Sequence, residues 1–195
     1  MSTSVPPGYQ YGDSALPLSP VTVDDLEKLK ASVLFTEADE AALRQAWSVL
    51  KDQVESILDV WYGFVGSHEH LVAYFSTPEG QPIGAYLDAV RPRFGKWIED
   101  TCTRPYDTTW LTYQDEIALR HTPAKKNQTD HVESVPNVAM RYLVAFIYPI
   151  TATVRPFLTA GGHSEDEVEA MHQAWFKAVT LQVALWTRPY VSHGW

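Results

Sequence analysis

From Thr22 to Trp186 the apolar residues recur at steps of three and four, and no stretch shows the period-two alternation of a strand. That single feature confines the chain to helix-on-helix packing, so the expected class is all-α, with about eight helices. Helix starts are marked clearly. Thr22 precedes acidic residues in "TVDDLEKLKASVLF", Thr36 precedes Glu37, Asp39 and Glu40, and Ser164 with Glu167 makes a capping-box pattern. Leu50, Val54, Ile57, Trp61 and Val65 share one face, which predicts an amphipathic helix of about five turns from Ala46 to Val65. "STPEGQP" at Ser76–Pro82 reads as a turn. The next helix carries Ile83, Leu87, Val90, Phe94, Trp97 and Ile98 on one face, and "TRPYDT" ends it. Asp107 or Thr108 caps the helix after that. Thr122–Ser134 is expected to be a polar loop. Val138–Leu158 and Val168–Trp186 are apolar on more than one face, as helices buried on two sides are, by the core and by a second subunit. Pro149 and Pro156 are expected to kink or shorten the first of these.

The first 20 residues hold four prolines and cannot form a long helix. They are expected to be disordered or laid over the body as an arm, with Tyr9 and Tyr11 as docking points. Residues 21–195 form one domain, large enough to enclose a sizeable ligand. The chain is 12% aromatic, with seven Trp and ten Tyr, which suits a dense core or a pocket for a flat apolar molecule.

The net charge of −9 argues against nucleic acid and against an anionic membrane surface as partners. No window reads as a membrane span, and the N-terminus lacks the pattern of a secretory leader, so the "NQT" at Asn127 reads as chance. One cysteine, Cys102, excludes an intramolecular disulfide and a cysteine metal cluster and fits a reducing compartment; the expected location is cytoplasmic. No HExxH, glycine-rich phosphate loop or nucleophile elbow is visible, and His68 and His70 lie on different faces of a helix.

Trp110, Tyr113, Ile117 and His121 fall on one helical face, an apolar stripe that ends in an imidazole two residues before Pro123. One reading of His121 is a helix-end histidine satisfied by a backbone carbonyl. The other is an axial ligand to haem, which needs an imidazole projecting from an apolar wall beside a flat hydrophobic slot. Trp61, Tyr62 and Phe94 stand on the preceding helices. Core packing accounts for Trp61 and Phe94, whereas a buried Tyr62 phenol needs a hydrogen-bond partner, and a ligand on iron is one.

At these residues the sequence resembles the protoglobins, single-domain haem proteins related to the globin domains of globin-coupled sensors. The resemblance runs through "PGYQYG", "VLKDQVESILDVWYGFVGSHEHL", "RFGKWIEDT", "YQDEIALRH", "KKNQTDHVESVPN", "RYLVAFIYPITATVRPFL" and "QAWFKAVTLQVALW". It implies an expanded three-over-three globin fold with an added N-terminal helix and an extension that helps bury the haem. It implies His121 as proximal ligand; Trp61, Tyr62 and Phe94 on the distal side; Phe75, Trp97, Ile117 and Phe146 in the pocket; and Arg93 toward a haem propionate. It further implies apolar tunnels and a homodimer through the last two helices. Where family members often continue with a second histidine and an arginine, Thr122 and Pro123 stand here. Proline disfavours helix at the residue before it, so the helix is expected to end at His121.

The implied function is reversible binding of O2, CO or NO by non-covalent haem b; covalent attachment would need a CxxCH, which is absent. Alternatives are a gas sensor acting through a partner, a haem enzyme of NO or O2 detoxification or carbene-transfer type, and a haem-free helical interaction module. No flavin or nicotinamide motif supplies electrons for turnover, so native enzyme activity is not expected.

Overall fold

The computed structural model describes residues 5–193 and Trp195. The first four residues of the N-terminal extension lie outside this range. Eight α-helices follow in order: α1 (Val23–Ser32), α2 (Glu37–Leu50), α3 (Val54–Gly66), α4 (Glu69–Val72), α5 (Gly84–Thr103), α6 (Thr108–Leu119), α7 (Met140–Thr159) and α8 (Glu165–Trp186). No strand occurs among the described residues; one isolated bridge, Ser76 to Pro82, closes the turn before α5. The helix starts follow the local sequence. Thr22 with Asp25, Thr36 with Asp39, and Ser164 with Glu167 each form a reciprocal capping box, and Asp107 caps α6 by accepting from the Trp110 N–H.

Helix α8 is the central element. It packs most extensively on α7 and α2, and also on α6 and α5. Its buried set, including Met171, Trp175, Val179, Leu181, Gln182 and Trp186, covers more than one face. Around it lie Leu26, Leu43, Leu50, Leu58, Ile98, Trp110, Leu111 and Leu158, all essentially inaccessible. Gly95 lets α5 approach α3: a Cβ there would stand 3.2 Å from Val54 Cγ1. A second, smaller cluster, Trp61, Val65 and Leu71, packs with Tyr62, Phe75, Phe94 and Phe146.

Four expectations need correction. The apolar stripe from Ala46 to Val65 belongs to two helices, because a turn at residues 51–53 separates α2 from α3. There the Gln53 side chain donates to the Val49 carbonyl (2.8 Å) and the Phe157 carbonyl of α7 (3.2 Å), and so satisfies a carbonyl at the helix end from outside the helical ladder. Helix α7 runs on through Pro149 and Pro156 to Thr159 and is not shortened. The Thr153 hydroxyl bonds back to the Pro149 carbonyl one turn earlier, at 2.7 Å. Helix α7 is also long and apolar enough, by length and composition, to cross a membrane, where none was expected. It is packed along α8, and its apolar character serves the core on one side. Finally, the loop after His121 is not uniformly solvated: Thr122, Lys126 and Ser134 are buried.

The N-terminal arm docks. The Tyr9 hydroxyl donates to Asp100 on α5 (2.7 Å), and the rings of Tyr9 and Tyr11 meet Tyr113 edge-on at 5.3 and 5.7 Å. The Pro7 carbonyl accepts from Arg93, and the Gly8 carbonyl and Gln10 amide oxygen accept from Arg120.

Candidate functional site

A cavity of about 250 Å³ lies between α3, α5, α6, α7 and α8. All nine residues singled out from sequence line it: Trp61, Tyr62, Phe75, Arg93, Phe94, Trp97, Ile117, His121 and Phe146. Trp110, the first member of the α6 stripe, does not line it and is enclosed in the core instead. The stripe is one face by helical phase, but its start points into the α8 packing and its end into the cavity.

His121 sits two residues past the last helical residue, Leu119. Its amide donates to the Ala118 carbonyl and the Thr122 amide to Leu119, three-residue steps that tighten the chain before Pro123. The helix therefore ends slightly earlier than expected, and what fixes the histidine's backbone is non-local. Its carbonyl accepts from the Val138 amide (2.9 Å) and from the Tyr190 hydroxyl (2.9 Å), which also reaches the Val138 carbonyl at 2.7 Å. On the ring, Nδ1 lies 2.9 Å from the Ile117 carbonyl. A carbonyl only accepts, so Nδ1 carries the proton. Burial holds the imidazole neutral, down to about 4. Nε2 then bears a lone pair, and no described residue donates to it.

Aromatic rings line the walls in a near-continuous series. The Trp186 ring lies 5.4 Å from the His121 ring and 6.0 Å from Trp97; Trp97 lies 5.2 Å from Phe94; Phe94 lies 5.8 Å from Trp61 and 6.3 Å from Tyr62. The polar tips of the two tryptophans are satisfied away from the cavity. Trp97 Nε1 donates to Gln182 Oε1 at 2.6 Å, and Trp186 Nε1 to Gln114 Oε1 at 2.9 Å. These bonds fix both indoles in the wall. The Tyr62 hydroxyl has no hydrogen-bond partner among the described residues, and burial pushes its pKa well up, so the phenol stays protonated.

One end of the cavity is polar. Arg93 makes a two-point ion pair with Asp130 (2.8 and 2.5 Å), and its Nη1 also bonds the arm at Pro7. Arg120 bonds Glu116 (2.9 Å) and the arm at Gly8 and Gln10. Lys126, 4% exposed, donates to the Tyr74 carbonyl (2.9 Å) and the Ser134 hydroxyl (2.6 Å) and lies 5.1 Å over the Tyr86 ring.

Sequence reasoning missed Trp186, Val183, Leu143, Ile150, Tyr86, Arg120, Asp130 and Lys126 as lining residues. For Trp186 and Val183 a signal existed, because α8 is apolar all round and must face something besides the core. For Lys126 and Asp130 there was none, since a lysine pair in a polar loop reads as solvated.

The arrangement suits a flat, largely apolar molecule carrying a Lewis-acidic centre for the His121 Nε2 lone pair and anionic groups for the polar end. The donor set is that of a haem site: a neutral imidazole with its second nitrogen fixed by a carbonyl, aromatic walls, an unpartnered phenol and cations at one end. Comparison with known protein families matches residues 22–195 to the family described as Protoglobin. No curated protein matches the chain.

Proposed function

The chain belongs to the protoglobin family of globin-type haem proteins, and we propose that it holds haem b non-covalently through His121 and reversibly binds O2, CO and NO. The observation that carries this reading is the His121 ring. Its Nδ1–H is spent on the Ile117 carbonyl, which fixes the tautomer and aims the Nε2 lone pair away from the backbone. Haem held there by His121 would supply an iron centre to which a diatomic gas can bind. The protein supplies the remainder. Trp97 and Trp186 are pinned by Gln182 and Gln114 and keep the slot dry and planar-sided. Trp61, Phe94 and Phe146 pack edge-on at 5.3 to 5.8 Å and restrict the volume beside Tyr62. The Tyr62 hydroxyl keeps its proton free to donate to a small polar guest.

Two copies associate, in this proposal, through α7 and α8. Met140, Val144, Tyr148, Ala152 and Pro156 follow one another at steps of four on α7, and all are exposed. Phe176 on α8 is exposed as well. An apolar stripe along a whole helix is more than scattered surface hydrophobes.

The test is the absorption spectrum of the reduced protein with and without CO, for wild type and His121→Ala. A Soret band that shifts with CO in the wild type, and that weakens or changes shape in the variant, is the expected result. A wild-type protein that stays colourless after addition of haemin would overturn the reading and return His121 to a purely structural role.

A further inference from the structure

The cavity lining carries three cations, Arg93, Arg120 and Lys126, against one carboxylate, Asp130. Asp130 is spent on Arg93 through both its oxygens. Glu116, behind Arg120, is shared with Lys125, so including that pair leaves the excess at two positive charges. The chain as a whole is at −9, and the excess therefore runs against its overall charge. Lys126 is the extreme member. It is 4% exposed, and no carboxylate pairs with it among the described residues. Its acceptors are a backbone carbonyl, a hydroxyl and a π face, all neutral. A buried ammonium without a counter-ion is destabilising, and a protein retains one where a ligand brings the missing charge.

We infer that Lys126 is the anchor for one of two carboxylates on the molecule that fills the cavity. The ligand class is a flat apolar body with a dianionic edge. On the haem reading of the preceding subsection, on which this inference rests, the carboxylates are the propionates. The role expected for Arg93 passes to Lys126: Arg93 is already tied to Asp130 and to the Pro7 carbonyl, and it joins the arm to the loop. Lys126 is also placed to respond to such a ligand. Burial draws it down to about 8, and an incoming carboxylate raises it again.

The experiment titrates the full chain, purified without added haem, with metal-free protoporphyrin IX and with its dimethyl ester, and reads binding by fluorescence. The two probes share a ring and differ only in carboxylate charge, and neither uses His121 as a metal ligand. Wild type is expected to prefer the diacid, and Lys126→Met to lose about tenfold in affinity for the diacid while its affinity for the ester is unchanged. A variant that keeps the wild-type preference for the diacid overturns the inference. Should Lys126→Met fold poorly, NMR titration of the wild-type Lys126 ammonium decides. A pKa that rises in the diacid complex but not in the ester complex supports the assignment, and equal values in both refute it. A wild type that binds neither porphyrin and stays colourless with haemin refutes the haem reading itself, whereas diacid binding indifferent to Lys126, or haemin binding without binding of either probe, refutes only the anchor.

Discussion

Tyr62 and Trp97 are polar-tipped aromatics in one cavity wall, and their polar atoms have opposite fates. The Trp97 N–H is used up by Gln182, which in turn donates to the Thr101 hydroxyl at 3.1 Å. The Tyr62 hydroxyl bonds nothing among the described residues, so removing it breaks no internal bond. Tyr62→Phe is therefore expected to keep the unfolding free energy within about 0.5 kcal/mol of wild type, while a bound gas dissociates faster in stopped-flow measurements. Trp97→Phe strands the Gln182 oxygen in the core and is expected to cost about 1–3 kcal/mol in urea unfolding. Equal losses in the two variants would mean that the phenol has a structural partner. Trp97 was legible in sequence as a member of a helical apolar face, and Tyr62 by its phenol next to Trp61. Lys126 was not, because burial of a loop lysine depends on Tyr74, Tyr86 and Ser134, which come from other parts of the chain.

Among the elements, beginnings are local and endings are not. Each capping box uses residues three apart; Ser164 with Glu167 was visible as one in the sequence, and Thr22 and Thr36 as helix starts before acidic residues. The break between α2 and α3 depends on Gln53 reaching Phe157 on α7, 104 positions away, and the apolar period runs through it undisturbed. His121 is similar: Pro123 foretells the end of α6, and the ring bonds the nearby Ile117 carbonyl, but the backbone that carries it is held by Val138 and Tyr190. The N-terminal arm is the third case. Gly8 has φ +77, and a Cβ on it would stand 2.7 Å from Thr129 Cγ2 and 2.8 Å from Arg93 Nη1. Gly8→Ala combines a disfavoured backbone conformation with a clash against an arginine held by Asp130. The arm should lift, and chymotrypsin should cut after Tyr9 or Tyr11 several-fold faster, with the melting temperature of the helical body within roughly 4 °C of wild type. Cleavage at the wild-type rate would show that the tyrosine and arginine contacts alone seat the arm.

Across the whole molecule, apolar and charged surface are distributed unevenly. Helix α7 gives the cavity Leu143, Phe146 and Ile150 and leaves a stripe of Met140, Val144 and Tyr148 facing outward. Tyr148, 79% exposed, stands near the middle of that stripe. If copies pair there, Val144→Arg with Tyr148→Arg should shift the sedimenting species from two chains to one without changing the helical circular dichroism. A variant that sediments as wild type does would place any association elsewhere. The all-helical class, the capped helix starts and the place of His121 at the end of an apolar stripe followed from the sequence by itself. Period, capping chemistry and the choice of side chain act over three or four residues and need no partner from afar. Tertiary structure alone decided that Trp110 turns into the core while His121 faces the cavity, that one helix becomes two at Gln53, and that a loop lysine is enclosed. Each of these depends on what a distant segment places beside the residue, and that segment determines whether a polar group meets water, a carbonyl or a waiting ligand.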